Sequence, residues 1–257
     1  MSLTYWLLIG NTGVFILLGV LAALRTGDTK WPFAWGFFSF LPATVIIGLE
    51  GTGDVWRKQM VVVLVLVYVV RMLYTLLVWF NATGASKLKD TTPKAAILSL
   101  PLVLVPVFCW VYTLPFFAAV DRVGPFGLAD GAALAVYALG TLFHLGADYQ
   151  KWQFKQDPAN RGVLLRRGFW GMSRHPNYFG DFLIYVSFAI VGLWHWGLVS
   201  PLANLVQYFA DAIPKNEKQS RQRHGAAWED YAAHTPIFLP LGRGGSEDTA
   251  VPASRDS

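Results

Sequence analysis

Arg174, His175 and Asn177 stand close together in the stretch GFWGMSRHPNYFGD, residues 168–181, directly before a long apolar run. The guanidinium of arginine can donate two parallel hydrogen bonds to an anionic group, histidine can donate or accept, and the asparagine amide does both. Together these side chains can bind anionic and polar ligand groups. Such a cluster at the mouth of an apolar segment indicates a polar ligand that reaches toward a membrane.

The segment upstream of this stretch is both basic and aromatic. Six positive charges fall within 24 residues, at Lys151, Lys155, Arg161, Arg166, Arg167 and Arg174, and they are interleaved with Tyr149, Trp152, Phe154 and Trp170. Arginine suits phosphate groups, and aromatic rings offer stacking faces. This pattern favours an anionic cofactor with phosphates and flat rings. Binding of lipid headgroups is the alternative that the composition leaves open.

A second polar group lies within apolar sequence in the N-terminal half. Tyr68, Arg71 and Tyr74 are spaced by three and therefore share one face of a helix, and Glu50 closes the preceding apolar block. Ionisable residues inside membrane segments are costly and usually functional. A carboxylate can hold a phenol as a proton donor, so Glu50 and Tyr68 are the candidate catalytic residues, with Tyr74 as the next donor to consider. A structural pair between Glu50 and Arg71 is the alternative.

The candidate residues lie within or beside blocks of apolar sequence, so the structure of these blocks determines their positions. Hydrophobic residues make up 54% of the 257 residues and charged residues only 14%, whereas a soluble domain carries about 25% charged residues. Blocks near 20 residues match a ~30 Å hydrocarbon core, and pairing of backbone groups in lipid favours helices. The blocks span 4–24, 31–49, 60–80, 95–119, 126–146, 178–197 and, less clearly, 199–213. The predicted fold class is an all-α polytopic membrane bundle of about seven helices.

Basic residues predict the orientation of this bundle. Lys and Arg concentrate in the segments 25–30, 81–94 and 147–177 and in the C-terminal tail, which the positive-inside rule places in the cytoplasm. The N-terminus is then outside, and the cofactor pocket opens on the cytoplasmic side. Because the net charge of +5 is spread along one membrane face, the bilayer is the expected partner and nucleic acid is not. The chain is also expected to be a monomer.

Two further features limit the alternatives. The first apolar block has no basic residue ahead of it, so it is predicted to be a retained helix and not a secretory signal. The chain has one cysteine, Cys109, which can form no intrachain disulfide and no cysteine metal site. No metal ion is predicted.

The stretch RHPNYFGD resembles the C-terminal cofactor signature of the membrane-embedded steroid and sterol reductases. Upstream, LGADYQKWQFKQDP is similar to the family's Gln-Lys and Phe-basic pairs before an Asn/Asp-Pro, and downstream KNEKQSRQRHGAAWEDY resembles the tail of the sterol C14-type reductases. The N-terminal half is more weakly similar to the steroid 5-alpha-reductases, through Glu50, Tyr68 and Arg71. Leu49 stands where those enzymes have Gln, and His144 where they have Asn.

The resemblance implies that the protein uses NADPH to reduce a carbon–carbon double bond in a steroid, sterol or similar isoprenoid lipid, with Glu50 and Tyr68 as catalytic residues. The implied NADPH contacts are Asp148, Lys151, Lys155, Arg161, Arg174, His175, Asn177, Tyr178, Asp181, Glu217, His224 and Tyr231. The implied parts are a transmembrane bundle over 1–213 with a substrate half 1–120 and a cofactor half 121–213, a cytoplasmic cofactor-closing segment 214–242, and a disordered tail 243–257.

Two other classes of protein remain open. Integral-membrane S-adenosylmethionine-dependent methyltransferases of lipids or isoprenylcysteine resemble the chain in an Arg-His-Pro-x-Tyr-x-Gly stretch and an acidic-rich tail. Asn177 between the Pro and the Tyr, and a basic segment suited to a 2′-phosphate, favour the reductase. A non-enzymatic sterol-binding scaffold would be expected to have damaged cofactor positions, and here those positions are intact.

Overall fold

The computed structural model describes residues 2–79 and 93–242, and these residues form helices and turns with no β-strand among them. The predicted all-α membrane fold is confirmed. The α-helices are α1 (Leu3–Thr26), α2 (Lys30–Glu50), α3 (Val55–Tyr74), α4 (Lys94–Pro106), α5 (Leu114–Ala119), α6 (Leu128–Gln156), α7 (Phe169–Met172), α8 (Pro176–Gly192), α9 (Val199–Gln207), α10 (Ile213–His224) and α11 (Ala226–His234). Residues 81–92 of a predicted loop and the predicted tail 243–257 lie outside the described residues.

Five helical segments in the described part of the chain are long and apolar enough to cross a membrane: Leu3–Thr26, Lys30–Glu50, Val55–Trp79, Lys94–Ala119 and Leu128–Gln156. They match the first five predicted blocks. The sixth block forms α8, a helix of 17 residues. The seventh forms α9, which a π-helical turn at Tyr208–Ala212 joins to the polar helix α10. A total of seven spans stays a prediction.

Helix α6 is longer than its apolar block. It runs for 29 residues to Gln156, so residues 147–156, predicted as the start of a loop, form its last turns. The first strong stop signal is Asp157-Pro158, because proline disfavours the α conformation of the residue before it. The extension places Asp148, Lys151 and Lys155 on a helix.

The chain folds as two compact units. One contains the described residues up to Ala133 together with Ser187–Pro201, and the other contains Leu134–Val186 and the described residues from Leu202 onward. The predicted boundary between a substrate half and a cofactor half, at residue 120, stays a prediction.

Aromatic rings form the core of the first unit. Phe40, Phe116 and Phe188 are completely buried, and the Phe188 ring packs edge-on against Phe116 at 5.2 Å and against Phe40 at 6.1 Å between centroids. The phenol ring of Tyr68 packs against the same Phe188 at 6.3 Å. Edge-to-face pairs of this kind stabilise a core beyond the effect of area burial.

A buried ion-pair network lies within the first unit. Arg57 at the start of α3 lies 3.2 Å from the Asp130 carboxylate through its Nε and donates through Nη1 to the carbonyl of Arg122 at 2.7 Å. Arg122 lies 3.3 Å from the same carboxylate and also donates to the carbonyl of Val191. Both arginines are therefore paired with groups of the protein itself.

In the second unit, α6 and α8 approach each other closely. A Cβ atom added at Gly140 would lie 2.6 Å from the carbonyl oxygen of Gly180, and one added at Gly180 would collide with the backbone of His144 and Gly140. Only glycine permits such an approach of two backbones. It brings the last turns of α6 beside the first turns of α8, where the predicted cofactor residues are concentrated.

The segment after α11 returns to the turn that precedes α8. The backbone N–H of Arg174 donates to Pro236 O at 2.9 Å, Ser173 Oγ donates to Phe238 O at 2.8 Å, and the Gly242 N–H donates to Met172 O at 2.9 Å. These hydrogen bonds fix the conformation of the residues just ahead of His175.

Candidate cofactor site

Arg174 and His175 share one carboxylate in the structure. Glu217 on α10 places Oε1 2.8 Å from His175 Nε2 and 3.3 Å from Arg174 Nε. Burial lowers the pKa of His175 below its usual value, and Glu217 opposes that shift only in part. A neutral imidazole therefore donates to the carboxylate near pH 7. The contact brings Glu217 to Arg174 and His175, and all three are predicted cofactor residues.

Asn177 is held from both ends of its amide. Its Nδ2 donates to Asp148 Oδ1 at 3.0 Å, and its Oδ1 accepts from the backbone N–H of Tyr178 at 3.1 Å. An amide with both ends engaged has a fixed orientation, and its nitrogen carries a second hydrogen. Asp148 and Asn177 are 29 positions apart in sequence and are hydrogen-bonded to each other in the site.

Asp181 lies deeper in the same unit and is 2% exposed. Its Oδ2 accepts from the Tyr208 hydroxyl at 2.6 Å and from Asn204 Nδ2 at 3.2 Å, and its Oδ1 lies 3.4 Å from His144 Nδ1. Sequence reasoning did not single out Tyr208 or Asn204. Their signal was the presence of hydroxyl and amide groups within the weakly apolar block after residue 198.

Aromatic stacking continues through the site. The Tyr178 ring lies parallel to Tyr208 with centroids 4.3 Å apart and to the His175 imidazole at 5.4 Å. The Tyr178 hydroxyl accepts from Asn216 Nδ2 at 2.6 Å. Three flat rings in one stack extend from the cluster of Arg174, His175 and Glu217 toward Asp181.

The basic residues of the predicted phosphate site lie at and beyond the end of α6. Lys151 Nζ lies 4.3 Å from the centroid of the Trp170 ring, while Lys155 and Arg161 are exposed. His224 is half-buried, and its pKa is lowered by burial and by the adjacent charge of Arg223. Lysine, arginine and histidine side chains that face water can bind phosphate groups.

Tyr231 has a supporting role in this structure. Its hydroxyl donates to the backbone carbonyl of Trp170, its ring packs on Trp228 with centroids 5.4 Å apart, and it is 2% exposed. Burial raises the pKa of its phenol. Tyr231 therefore ties α11 to α7, and its predicted contact with the cofactor stays a prediction.

The structure does not bring Glu50 and Tyr68 together. Glu50 ends α2, is exposed, and accepts a hydrogen bond from the Thr4 backbone N–H at 3.2 Å. Tyr68 lies thirteen positions after Val55, the first residue of α3, which is about 20 Å along the helix at 1.5 Å per residue. Tyr68 is buried, and the Arg71 guanidinium carbon lies 5.1 Å from its ring centroid. The catalytic role of both residues stays a prediction.

Comparison with known proteins identifies the class of this chain. Its residues 17–235 match the model of a family described as a protein of unknown function (DUF1295), and the chain belongs to that family. It is also related to membrane sterol reductases, so the predicted relationship is confirmed. Over the residues that the structure describes, no group of three His, Cys, Asp or Glu side chains is arranged for a metal ion.

Three of the relatives carry the name Delta(14)-sterol reductase. The chain is 28% identical to that of Mus musculus over 138 residues, which is 45% of this chain and 31% of the relative. It is 30% identical to that of Schizosaccharomyces pombe over 122 residues, 39% of this chain and 27% of the relative. It is 30% identical to that of Methylotuvimicrobium alcaliphilum over 124 residues, 41% and 28% respectively. The chain thus spans less than a third of the length of these relatives.

Proposed function

We propose that this integral membrane protein reduces a carbon–carbon double bond of a sterol, steroid or similar isoprenoid lipid with NADPH. The observation that carries the proposal is the similarity to proteins named Delta(14)-sterol reductase, in a chain whose predicted cofactor residues converge within one unit. A double bond conjugated in a sterol diene is the first substrate to test. The apolar helices would place the protein in the bilayer, which is where such a lipid dissolves.

The side chains of the second unit fit NADPH by their chemistry. Exposed Lys155 and Arg161, with the partly buried Lys151 and Arg174, offer cations for three phosphate groups. The second hydrogen on Asn177 Nδ2 would offer a donor for a carboxamide or hydroxyl. When bound, NADPH would supply a hydride to one carbon of the double bond. Asp148 and Glu217 would hold the amide and the cations in place.

Tyr68 is proposed to give the proton that the second carbon needs. Its phenol is protonated at pH 7 because its ordinary pKa is near 10, and it is buried among aromatic rings that exclude water. Proton loss would leave a phenolate, and the positive charge of Arg71 nearby would stabilise it. Glu50 is given no step, because about 20 Å of helix separates it from Tyr68.

The proposed orientation places the N-terminus outside and the C-terminus in the cytoplasm, so that NADPH is taken from the cytoplasm. In support, Arg57 and Arg122, which lie in segments on the side that the proposal places outside, pair with Asp130 within the protein. Lys58 on the same side donates to the carbonyl of Gly51 at 2.9 Å.

Ligand-dependent thermal unfolding in detergent tests the cofactor. A ligand at one hundred times its Kd stabilises a protein by about 2.7 kcal/mol, which corresponds to roughly 5–10 °C at this size. We expect such a shift with NADPH, a smaller one with NADH and none with S-adenosylmethionine. A shift with S-adenosylmethionine alone would favour a methyltransferase. Oxidation of NADPH that depends on an added sterol diene or steroid enone then tests the reaction, and sterol-independent oxidation would contradict it.

A further inference from the structure

A buried indole N–H of the second unit has no hydrogen-bond partner among the residues that the structure describes. It belongs to Trp228 in the first turn of α11, whose side chain is 4% exposed. The Trp228 ring packs with Leu164 and Tyr231 in one buried cluster. A buried donor left without a partner is costly, and an indole N–H can only donate. The group that satisfies it must therefore be an acceptor.

His224 lies on the other side of the turn that leads into α11. The Trp228 backbone N–H donates to the carbonyl of Gly225, the residue after His224, at 3.0 Å. The backbone of Gly162, two positions before Leu164, hydrogen-bonds the His224 imidazole. In the described part of the chain, His224 Nδ1 is also buried without a partner. Two polar atoms that lack protein partners therefore flank one turn and lie against the same short segment.

Three positively charged side chains lie beside this turn. Lys151, Lys155 and Arg223 are close enough to repel one another, and the charges of Arg223 and Lys151 also act on His224. Asp148 attracts Lys151 and offsets this repulsion in part. Like charges held close together destabilise the protein, and a bound anion would relieve their repulsion. The cations and the unsatisfied indole therefore point to one ligand group that is both anionic and an acceptor.

A phosphate monoester has both properties. It carries about −1.5 to −2 charge at pH 7 and has three strong acceptor oxygens, so one oxygen can accept from an indole N–H while the others face the cations. A lipid phosphodiester has a single negative charge and suits three cations less well. NADPH differs from NADH by a phosphate monoester on the 2′ position of its adenosine ribose. Within the proposed function, this 2′-phosphate is therefore the group that best fits the site.

We infer that Trp228 donates its indole hydrogen to the 2′-phosphate of NADPH, beside the three cations. The inference rests on the proposed function and adds a neutral, directional donor to its positively charged residues. A lysine attracts an anion from many directions, whereas an indole N–H binds an acceptor that lies along its bond. Trp228 would therefore fix the position of the phosphate and contribute to a preference for NADPH over NADH. Neither Trp228 nor Arg223 is among the predicted cofactor contacts.

Calorimetric titration of the full chain in detergent with NADP⁺ and with NAD⁺ tests this donor, because the two probes differ in the 2′-phosphate alone. Trp228→Phe keeps an aromatic ring and removes the N–H. It should weaken NADP⁺ binding about ten- to a hundred-fold and leave NAD⁺ binding unchanged. Trp196→Phe is the matched control, since Trp196 is 56% exposed and belongs to the first unit, and both affinities should persist there. Wild-type affinity for NADP⁺ in a folded Trp228→Phe protein would overturn the inference and leave the proposed function intact.

A second pair of variants leaves the buried ring untouched. Arg223→Gln and Lys218→Gln each remove one positive charge from an exposed position on α10. Only Arg223→Gln should weaken NADP⁺ binding about tenfold more than NAD⁺ binding, because Arg223 acts on His224 and on both lysines. Equal effects of the two variants would overturn the site. If the wild type binds neither probe, the inference and the proposed function both fail. Selective NADP⁺ binding without sterol-dependent oxidation would overturn the proposed function alone.

Discussion

Replacing Glu217 with Gln tests whether one carboxylate organises the predicted cofactor site. Glu217 is 17% exposed at its side chain and contacts His175 at 2.8 Å and Arg174 at 3.3 Å. The substitution keeps the shape and one oxygen acceptor but removes the charge. His175 keeps a neutral partner, while the largely buried guanidinium of Arg174 loses its counter-ion.

The magnitude follows from these contacts. A hydrogen bond to a charged group contributes about 1.5–3 kcal/mol, and removal of one partner from a fully buried pair costs about 3–5 kcal/mol. This pair is partly solvated and retains one hydrogen bond, so we expect a loss of about 2 kcal/mol. At roughly 2–4 °C per kcal/mol for a domain of this size, the Tm should fall by about 4–8 °C.

The assay is thermal unfolding of the purified protein in detergent, followed by tryptophan fluorescence. Glu229→Gln is the matched control, because Glu229 contacts Arg221 through side chains that are 55% and 60% exposed. Exposed pairs contribute about 0–1 kcal/mol, so this Tm should fall by no more than about 4 °C. Equal losses in the two variants would refute the organising role of Glu217.

The same assay has a pH dependence. Burial lowers the pKa of His175 in the folded protein, so the unfolded state binds the proton more readily. Stability is then fully present above the ordinary histidine pKa near 6.5 and is lost as pH falls below it toward the lowered value. A wild-type Tm that does not fall between pH 7.5 and pH 5.5 would contradict the buried neutral imidazole.

Four further predictions concern other parts of the molecule. Tyr68→Phe should lower kcat by roughly 10²–10⁴ with NADPH affinity unchanged, and a near-normal single-turnover rate would point to another donor. Lys151→Gln should weaken NADPH binding by about ten- to a hundred-fold and NADH binding less, measured by titration calorimetry; equal losses would remove its role at a 2′-phosphate. Gly180→Ala should lower the Tm strongly, since the added Cβ collides with the His144 backbone; an unchanged Tm would refute the close packing. Cysteine placed at Gln156 should react with membrane-impermeant reagents only from the cytoplasmic side, and labelling from outside would reverse the topology.

The general fold could be predicted because bilayer thickness sets the length of an apolar block. The first five blocks have the length and hydropathy of spans, and each is a long helix in the structure. The end of α6 could not be predicted from hydropathy, because a helix continues past the hydrocarbon as long as no residue stops it. Polar Asp148 and Lys151 were read as loop residues for that reason, although the stop signal is Asp157-Pro158.

The members of the site could be predicted from motif order, but their pairing could not. Arg174 and His175 were selected as neighbours in sequence, yet the carboxylate that joins them comes from Glu217 on α10. Conversely, Glu50 and Tyr68 lie near each other in sequence, but the helical rise separates them. Tyr208 and Asn204 carried no motif at all, and only the fold shows that they hold Asp181.

The order in which the first unit can be completed follows from its ion-pair network. Arg57 enters during synthesis 73 residues before its partner Asp130, and Arg122 donates to Val191, another 69 residues later. Asp130 is therefore available to Arg57 before the second unit begins, whereas Arg122 reaches the carbonyl of Val191 only after Leu134–Val186 of the second unit have been made. Because Ser187–Pro201 belongs to the first unit, neither unit corresponds to one continuous fragment, and a gene truncated after Ala133 would encode a first unit that lacks Ser187–Pro201.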